Sequence, residues 1–404
     1  MNCSFCGEPL SQVFADLGHQ PPSNSFLTAA QLDEPEVTYP LKAMVCDKCF
    51  LVQVPEHKRA EEIFTEDYVY LSSQSPSNVS HARAFAAQMV ERFGLSSESR
   101  VVEIGSNDGY LLKWFQYGGI QVMGYEPSLK AQRAAVSRGI KTIPMFFNKD
   151  TARYHETADL VCGINVLAHN PDINNFVLAV CIALKPTGVA VFEFPHLRSL
   201  IRFNQFDTIY QEHFYYFSLY SVMQVFQLNR LVIFDAEEIP EHGGSLRIYA
   251  RHSIEGNEKA TERLAEILGR EMLEGVNTAN YYSGFQYRIN RAKTLLLKFL
   301  LRQKEYGKAV AGYGAAAKGN TLLNACGIKP DLLPYVVDVS PHKQGKYLPG
   351  SHIRVTDENE LKELKPEFIL ILPWNLKTEI VNQLSYAREW GAKFVTAIPE
   401  LGMF

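Results

Sequence analysis

VVEIGSNDG, at residues 101–109, is an apolar run that leads directly into a glycine-bearing turn. A short apolar run followed by such a turn and a helical pattern is typical of a buried parallel strand and the helix after it. Glycine in the turn lets backbone N–H groups approach a ligand closely. Glu126 lies 21 residues after Gly105, at the end of the next apolar run, where a carboxylate can accept hydrogen bonds from both hydroxyls of a ribose. The stretch therefore predicts the first strand of a cofactor-binding α/β sheet.

The glycine spacing bears on which cofactor is bound. Dinucleotides and S-adenosylmethionine can both use a strand, a glycine turn and an acidic residue on the next strand. The dinucleotide fingerprint is G-x-G-x-x-G, whereas this turn has one glycine at its tight point, Gly105, and the next at Gly109. Asp108 would repel a pyrophosphate and would suit the cationic methionine moiety of S-adenosylmethionine. The sequence therefore favours S-adenosylmethionine, and a turn without any ligand is the alternative.

Apolar runs of strand length recur between helical patterns along most of the chain. Its 404 residues are enough for two or three domains. Residues 100–252 predict a doubly wound α/β sheet with an antiparallel hairpin at its edge, and a second α/β unit follows a mostly helical stretch at 257–303. The predicted strands are 101–104, 122–125, 160–163, 189–194 and the hairpin pair 231–234 and 246–250, followed by 309–312, 335–338, 368–372 and 394–397.

Two cysteine pairs lie near the N-terminus, Cys3 with Cys6 and Cys46 with Cys49, and each has the C-x-x-C spacing. Two thiolates at this spacing can bind one cation, and four complete the closed tetrahedral shell of a structural Zn²⁺ site. A unit of about 60 residues buries too little apolar surface to be stable without such a staple. Four reduced surface cysteines or two disulfides are the alternatives. Because the shell would be closed, the predicted zinc is structural.

Composition and charge exclude several classes of protein. Hydrophobic residues make up 46% of the chain and charged residues 21%, which is typical of a globular protein and not of a disordered or fibrous one. The net charge of −4 gives no electrostatic reason to expect binding to nucleic acid or to an anionic membrane. No apolar run reaches the ~18 residues of a membrane span, and the N-terminal residues have no signal-peptide pattern. We therefore expect a cytoplasmic protein with no nucleic-acid or membrane partner. We also expect a monomer.

The densest group of reactive side chains is YQEH, at residues 210–213. A histidine can take a proton near neutral pH, a neighbouring glutamate can orient it, and a tyrosine can donate a hydrogen bond to a developing oxyanion. Asn165 and His169 follow an earlier strand, and we expect them at the carboxyl edge of the sheet, where ligands bind. An aromatic core segment with one capping carboxylate is the alternative for the first group, and a structural histidine is the alternative for His169.

Two glycine-containing stretches are candidate substrate contacts. HGGSLR, at residues 242–247, allows close backbone approach at its glycines, and its arginine could hold an anion, although a tight hairpin entry is the alternative. GYGAAAKG, at residues 312–319, resembles G-x-G-x-x-A, and Asp338 follows 24 residues after Gly314 at the end of the next strand. Lys318 at a helix N-terminus favours a phosphate-bearing ligand. This second stretch could bind NAD, a nucleotide diphosphate or nothing.

In this order the motifs resemble the S-adenosylmethionine-dependent C-methyltransferases of branched deoxysugar biosynthesis, which act on nucleotide-linked keto-sugars. The resemblance covers nearly the whole chain. It rests on the four cysteines and on PSNSFL (22–27), YLSS (70–73), EIGSNDG (103–109), NVLAH (165–169), DTIYQEH (207–213) and HGGSLR (242–247). It implies a zinc-binding module at 1–65, a class I (Rossmann-like) methyltransferase domain at 66–255, a helical connection at 256–305 and a Rossmann-like nucleotide-sugar-binding domain at 306–404.

The resemblance also implies a reaction and its residues. The base would be His213, assisted by Glu212, Tyr210 and His169, and it would deprotonate a carbon, C3, beside the ketone of a 4-keto deoxysugar linked to dTDP or GDP. The carbanion would then take the methyl group, with no redox cofactor or catalytic metal. The residues that would bind S-adenosylmethionine are Tyr70, Ser72, Glu103, Gly105, Asn107, Asp108, Gly109, Glu126 and Asn165. Those that would bind the nucleotide-sugar, between the central and C-terminal domains, are His242, Arg247, Gly314, Lys318 and Asp338.

Three other functions fit part of these features. A methyltransferase of RNA, protein or another small molecule could carry the same zinc module, although RNA binding calls for a more basic surface. An NAD-dependent oxidoreductase would use the glycine stretch at 312–319. A zinc-stabilised sugar-nucleotide-binding protein without catalysis would leave the reactive group at 210–213 unexplained.

Overall fold

The computed structural model describes residues 1–59, 62, 71–253 and 260–404. Tyr70, one of the predicted cofactor-binding residues, lies outside the described residues. Three sheets organise the described part of the chain. The strands, numbered along the chain, are β1 (Gln12–Gln20), β2 (Tyr39–Val45), β3 (Val52–Gln53), β4 (Arg100–Ile104), β5 (Gln121–Tyr125), β6 (Thr142–Ile143), β7 (Ala158–Ile164), β8 (Leu184–Pro195), β9 (Tyr215–Tyr216), β10 (Leu231–Ile239), β11 (Ser245–His252), β12 (Val310–Tyr313), β13 (Tyr335–Val337), β14 (Arg354–Thr356), β15 (Phe368–Ile371), β16 (Lys393–Thr396) and β17 (Gly402–Met403). The α-helices are α1 (Pro76–Phe93), α2 (Leu112–Tyr117), α3 (Leu129–Ser137), α4 (Ile173–Ala183), α5 (Leu197–Arg202), α6 (Leu219–Leu228), α7 (Glu262–Glu274), α8 (Ala279–Tyr282), α9 (Phe285–Glu305), α10 (Ala317–Cys326), α11 (Glu358–Leu364) and α12 (Lys377–Gln383).

The central sheet has the strand order β10-β11-β8-β7-β4-β5-β6. Its strands are parallel except for β11, which runs antiparallel to both β8 and β10. The chain enters at β4, builds outward through β5 and β6, and returns to the other side at β7. Ligands bind where such a sheet changes direction, outside the carboxyl ends of the strands, and here that point lies between β4 and β7. The predicted doubly wound sheet and its antiparallel edge pair are confirmed.

Strand β4 is covered by helices on both faces. Val101 belongs to the same buried cluster as Phe85 of α1, whereas Val102 belongs to the cluster of Phe176 of α4. A strand that is buried on both faces needs apolar residues at successive positions, which explains the apolar run in the sequence. Glu103, in the middle of this strand, is buried as well.

The N-terminal sheet has the order β1-β2-β3-β9. Its first three strands come from the cysteine-bearing segment, but β9 belongs to the chain directly after the predicted catalytic group. Val54 N donates to the Phe214 carbonyl oxygen at 2.9 Å and extends this pairing by one more bond. Phe14 of β1 stacks on Phe285 of α9, with 4.6 Å between ring centroids. The cysteine-bearing module is therefore joined to the segment that carries the reactive side chains.

The C-terminal sheet has the order β14-β13-β12-β15-β16-β17 and is parallel except for β17. This confirms the predicted second α/β unit. Its change of direction lies between β12 and β15, so its ligand-binding edge contains the turns after Tyr313 and after Ile371. Leu27 and Tyr347 exchange two backbone hydrogen bonds, of 2.9 and 2.8 Å, and so fasten the N-terminal segment to this unit.

The stretch between the two α/β units is helical, as the sequence predicts, and contains α7, α8 and α9. Thr261 caps α7 by accepting a hydrogen bond from Leu264 N, and Gly275 ends it in the left-handed conformation, with φ +86. Even though α9 has 21 residues, none of the helices within the described ranges is long and apolar enough to cross a membrane.

Candidate active site

The four N-terminal cysteines converge on one point. Their Sγ atoms all lie within 4.8 Å of one another, with 3.6 Å between Cys3 and Cys49 and 3.5 Å between Cys6 and Cys46. Four thiolates around Zn²⁺ at about 2.3 Å form a tetrahedron with edges of about 3.8 Å. The donor set therefore fits a zinc ion with a closed shell, and it leaves no coordination position for a substrate.

Backbone turns hold these cysteines in place. Gly7 N donates to the Cys3 carbonyl oxygen and Phe50 N donates to that of Cys46, both at 2.9 Å. The residue after the second cysteine of each pair has a positive φ, +78 at Gly7 and 56 at Phe50. Gln53 Nε2 donates to Cys3 Sγ at 3.2 Å, which ties the cluster to β3 and, through that strand, to β9.

The turn after β4 packs too closely to admit side chains at its glycines. Gly105 has φ +66, and a Cβ there would lie 3.0 Å from Val166 Cγ2. Gly109 has φ +77, and a Cβ there would lie 2.9 Å from Ile140 Cγ1. Both glycines are therefore required by the packing of the sheet itself, in addition to any close approach of a ligand.

Glu126, at the end of β5, reaches back to this turn. Its carboxylate accepts hydrogen bonds from Asn107 N at 3.0 Å and from Ser128 N at 2.8 Å. Burial raises the pKa of Glu126 to about 7, although these two backbone donors act in the opposite direction. Since each carboxylate oxygen can accept more than one hydrogen bond, Glu126 can hold the turn and still accept from a ribose hydroxyl.

Glu103 gives the clearest indication of a cationic ligand. Neither of its buried carboxylate oxygens has a hydrogen-bond partner among the described residues. Burial, and then the charges of Glu126 and Asp108, raises the pKa of Glu103 well above its usual range. A buried carboxylate is costly unless a positive group compensates it. The charged end of S-adenosylmethionine is such a group, so the residues present fit the predicted cofactor.

Asp108 has a different environment from the one the sequence suggests. Its carboxylate forms an ion pair with Arg138 Nη1 at 2.9 Å and accepts a hydrogen bond from the Ser73 hydroxyl. Its charge is therefore compensated within the chain, and its repulsion of a pyrophosphate is weaker than we expected. Ser72 N donates to Asn107 Oδ1 at 2.8 Å, so these two predicted residues are adjacent.

Asn165 follows β7 on the other side of the change of direction. It has φ 55, its backbone N donates to the Glu193 carbonyl oxygen at 2.8 Å, and its Oδ1 is buried with no hydrogen-bond partner in the described part of the chain. Because Val166 packs on Gly105, the turns after β4 and β7 are in contact. The sheet thus brings Gly105, Glu126 and Asn165 to one edge, as the sequence predicts.

The imidazole of His213 is held as a neutral base. Its Nδ1 lies 3.0 Å from the Thr208 carbonyl oxygen, which can only accept, so Nδ1 carries the hydrogen. Its Nε2 therefore presents the lone pair and accepts from the Tyr210 hydroxyl at 3.0 Å. Burial, followed by the nearby His169, lowers the pKa of His213 well below its usual range. The base form is thus already present at neutral pH.

His169 and Glu212 stand beside this imidazole. The ring of His169 meets that of His213 edge to face, with 4.8 Å between centroids, and it is hydrogen-bonded to the Glu212 backbone. Burial lowers the pKa of His169 to about 4 and raises that of Glu212 to about 7. Asn24, from the N-terminal module, donates to Glu212 Oε1 at 2.8 Å. All four predicted catalytic residues therefore lie together.

Two predicted substrate contacts approach His213 from other parts of the chain. Lys318, at the start of α10, donates to Asn375 Oδ1 at 2.9 Å, and burial lowers the pKa of its ammonium. Both Lys318 and His242 act electrostatically on His213 and lower its pKa further. His242 has φ 56, and burial lowers the pKa of its imidazole to about 4.

Arg247 is not available in the way the sequence suggests. Its side chain is 6% exposed, and its guanidinium donates to Glu193 Oε1 at 2.5 Å, to Gln88 Oε1 at 2.5 Å and to Glu237 Oε1 at 2.9 Å. These contacts join β8, β10, β11 and α1, so the structure uses Arg247 inside the central sheet. Its predicted contact with the substrate has no support in this geometry.

Asp338 and Gly314 also make contacts within the chain. The Asp338 carboxylate accepts from Ala315 N at 2.7 Å and from Ser340 N at 2.8 Å, and so closes the turn after β12. A Cβ at Gly314, where φ is +87, would lie 2.4 Å from Pro373 Cδ. The glycine loop is thus shaped by the neighbouring turn after β15.

Sequence reasoning missed three residues at this site, Asn24, Asp207 and Trp374. Asp207 is fully buried, and its Oδ2 accepts from Trp374 Nε1 at 2.8 Å. Burial raises the pKa of Asp207 to about 6, although Lys318 acts in the opposite direction. Asn24 and Asp207 lie inside motifs that carry the family resemblance, but nothing in the sequence around Trp374 marks it.

Family models match three consecutive parts of the chain: a zinc binding domain at residues 3–64, a methyltransferase domain at 79–231 and a C-methyltransferase C-terminal domain at 240–399. The C-methyltransferase NovU of Streptomyces niveus is 33% identical to this chain over 402 residues, which are 98% of this chain and 95% of that protein. This chain belongs to the C-methyltransferase family. The predicted enzyme class and the predicted cofactors, S-adenosylmethionine and zinc, are confirmed.

Solved methyltransferase structures are similar to part of the chain. Magnesium protoporphyrin IX methyltransferase of Synechocystis, with bound S-adenosylmethionine, covers 43% of this chain and 79% of its own, at 15% identity and a TM-score of 0.34. The 1,6-didemethyltoxoflavin-N1-methyltransferase of Burkholderia thailandensis covers 44% of this chain and 80% of its own, at 14% identity and a TM-score of 0.37.

Proposed function

We propose that this C-methyltransferase acts on a nucleotide-linked 4-keto deoxysugar and methylates C3, the carbon next to the ketone. The observation that carries the proposal is the neutral imidazole of His213, which donates to the Thr208 carbonyl oxygen through Nδ1, accepts from the Tyr210 hydroxyl at Nε2 and lies within electrostatic range of Lys318. A carbon acid needs a base whose lone pair is free of a proton at neutral pH. A ketone beside the carbon makes its C–H acidic enough for an imidazole to deprotonate.

The proton of the substrate carbon passes to His213 Nε2. The Tyr210 hydroxyl donates a hydrogen bond to the lone pair of this nitrogen. If the substrate displaces the hydroxyl, the proton passes directly from the carbon to Nε2. If the hydroxyl stays in place, it relays the proton from the carbon to Nε2. The negative charge moves to the ketone oxygen, where the Tyr210 hydroxyl donates a hydrogen bond, because the one N–H of the neutral His169 imidazole already donates to the Glu212 backbone. The developing enolate charge in turn favours the imidazolium that forms. S-adenosylmethionine supplies the methyl group to this carbon.

Buried oxygen atoms at the junction of the three parts of the chain support a hydroxyl-rich substrate. Asn320 Nδ2 donates to the Ser23 carbonyl oxygen at 3.4 Å, and Gln211 Nε2 donates to the Gln20 carbonyl oxygen at 2.9 Å. The Ser23 hydroxyl, Gln211 Oε1, Asn320 Oδ1 and Asp207 Oδ1 have no hydrogen-bond partner among the described residues. Buried polar groups are normally satisfied, and sugar hydroxyls can supply the missing bonds.

The nucleotide end of the substrate would extend along the C-terminal unit. Lys318 lies at the first turn of α10, where an ammonium and helix N–H groups can attract a diphosphate together. The net charge of −4 favours a small anionic substrate over a polyanion. The proposal includes the division of the chain at residues 65, 255 and 305, a monomeric enzyme, and a cytoplasmic location, where the thiolate ligands stay reduced.

The test is incubation of the enzyme with S-adenosylmethionine and a panel of dTDP-, GDP- and CDP-linked 4-keto sugars, with the products read by mass. The wild type should add one methyl group to at least one sugar, and in D2O it should exchange the C3 hydrogen before methylation. His213→Asn should abolish both reactions, while His57→Asn, at an exposed position, should change neither. Turnover by His213→Asn close to that of the wild type would overturn the base assignment, and no methylated keto-sugar would overturn the substrate class.

Tyr210→Phe separates the two routes of the proton. Phenylalanine keeps the ring that lies 4.1 Å from the His213 imidazole, but it cannot relay a proton. Abolished deuterium exchange at the substrate carbon would assign the relay, whereas exchange that is slowed but retained would assign direct transfer to His213 Nε2, with Tyr210 as the donor to the enolate oxygen.

A further inference from the structure

Trp374 occupies a slot between the C-terminal unit and the central sheet. It follows β15, at the ligand-binding edge of the C-terminal sheet, and its ring packs on Gly243, between β10 and β11. A Cβ at Gly243, where φ is +91, would lie 2.3 Å from Trp374 Cη2 and 2.7 Å from Cζ3. Any side chain at Gly243 would therefore displace the indole.

The indole also makes a polar bond across this boundary. Trp374 Nε1 donates to Asp207 Oδ2 at 2.8 Å. Asp207 is fully buried and belongs to the short 3-10 turn Phe206–Thr208, against which α10 packs from the C-terminal unit. A buried carboxylate needs such a donor, because leaving one unpaired costs more than losing an exposed bond.

The same turn orients the catalytic histidine. The Thr208 carbonyl oxygen, one residue after Asp207, accepts from His213 Nδ1 at 3.0 Å and so selects the tautomer whose lone pair is on Nε2. Gln205 Nε2, before the turn, donates to the Gly243 carbonyl oxygen at 2.7 Å. Lys318 Nζ lies 4.9 Å from the centroid of the Trp374 ring.

We propose that Trp374 is a positioning residue that acts across the domain boundary. Its indole N–H holds Asp207 in place, and Asp207 in turn fixes the position of the turn Phe206–Thr208. The Thr208 carbonyl oxygen of that turn then holds His213 in its base orientation. The role of His213 as the base rests on the proposed function. The geometry of the turn does not, so it can be tested separately. The C-terminal unit thereby does more than bind substrate, since it also completes the proton-accepting site.

Trp374→Phe removes the N–H donor together with the Cη2–Cζ3 edge that packs on Gly243, so it tests the whole contact of the indole across the boundary. Trp390→Phe is the matched control. Trp390 Nε1 donates to the Pro366 carbonyl oxygen at 3.1 Å, within the C-terminal unit. Both variants should bind zinc and S-adenosylmethionine as the wild type does, which verifies that they fold.

The first readout is amide hydrogen exchange, measured by mass spectrometry in the zinc-loaded enzyme without substrate. Peptides that cover residues 204–214 should exchange roughly 10- to 100-fold faster in Trp374→Phe, the range expected when a hydrogen bond to a charged group is lost. Trp390→Phe should leave them unchanged. Unchanged exchange in Trp374→Phe would overturn the proposal, whether or not the enzyme acts on a keto-sugar.

The second readout is steady-state kinetics on the substrate identified from the panel. In Trp374→Phe, kcat should fall by about tenfold or more, while the KM for S-adenosylmethionine stays within about twofold. Adding Asp207→Asn should restore part of kcat, because the asparagine removes the uncompensated buried charge. A rise in KM for the sugar with kcat unchanged would overturn positioning in favour of a simple substrate contact. If the wild type methylates no keto-sugar, the proposed substrate fails and hydrogen exchange alone decides the role of Trp374.

Discussion

Replacing Glu212 by glutamine is expected to stabilise the folded protein at alkaline pH. Glu212 is 2% exposed, and burial raises the pKa of its carboxyl from 4.5 to about 7. In the unfolded chain this group releases its proton near its ordinary pKa, whereas in the folded chain it keeps the proton until about pH 7. Between these values unfolding releases a proton, so the free energy of unfolding falls as pH rises. Glutamine has the same shape, can still accept from Asn24, and does not titrate.

The magnitude follows from the two pKa values. The interval between 4.5 and about 7 corresponds to about 3 kcal/mol at 25 °C. This difference between the Glu212→Gln variant and the wild type should be fully present at pH 8.5. By linkage it should narrow to about 2 kcal/mol at pH 6, where the folded wild type is mostly protonated at this site.

The measurement is urea unfolding of the zinc-loaded protein at pH 6.0, 7.0 and 8.5, with the free energies compared between variant and wild type at each pH. Glu91→Gln is the control, because it removes the same charge at an exposed position of α1. A Glu212→Gln difference that is constant with pH would refute the reasoning, and so would a variant less stable than the wild type at pH 8.5. The same variant should lower methyl transfer if Glu212 assists His213.

Three further predictions concern the cofactors and the turn after β4. Cys46→Ser should lower the zinc content, measured by plasma mass spectrometry, from about one ion per chain to near zero, whereas Cys326→Ser in α10 should retain it; equal zinc in both would contradict the four-thiolate site. Glu126→Ala should weaken S-adenosylmethionine binding in calorimetry by roughly tenfold or more, since charge-assisted hydrogen bonds are lost, and an unchanged Kd would remove Glu126 from the cofactor site. Gly109→Ala should destabilise the protein by about 1–3 kcal/mol, and by more than Gly119→Ala, because both glycines have φ +77 but only the Cβ at Gly109 meets another atom within 4 Å; equal losses in thermal unfolding would mean that backbone strain alone decides the cost.

Local patterns in the sequence were sufficient to predict those features of the structure that depend on residues close together in the chain. The run at 101–109 predicted β4 because a strand covered on both faces must be apolar at consecutive positions. The C-x-x-C spacing predicted the zinc site because each pair supplies two thiolates from one turn. The short strands β3 and β9 escaped prediction, because two residues carry no periodicity and their pairing depends on segments far apart in the chain.

At the site, too, the sequence shows which residue types are present, whereas only the structure shows what each side chain contacts. The sequence marked His213 as the base within the reactive group at 210–213 and Arg247 as a possible anion contact at the end of HGGSLR. The structure surrounds Arg247 with Glu193, Gln88 and Glu237, so its donors are engaged, and leaves the lone pair of His213 Nε2 facing a hydroxyl. Whether a charged side chain is engaged within the chain or available to a ligand depends on neighbours from other elements, which no local pattern records.

The sequence by itself determined the two α/β units, the zinc module and the family, since each depends on periodicity, spacing or an ordered set of motifs. Only the tertiary structure decided that Asn24 from the module, Glu212 from the central domain and Lys318 from the C-terminal unit meet around one histidine. It also decided that Trp374 supports the turn that orients that histidine. The physical reason is that hydrogen bonds and charge interactions act over a few ångströms, whereas these residues lie tens to hundreds of positions apart in the chain.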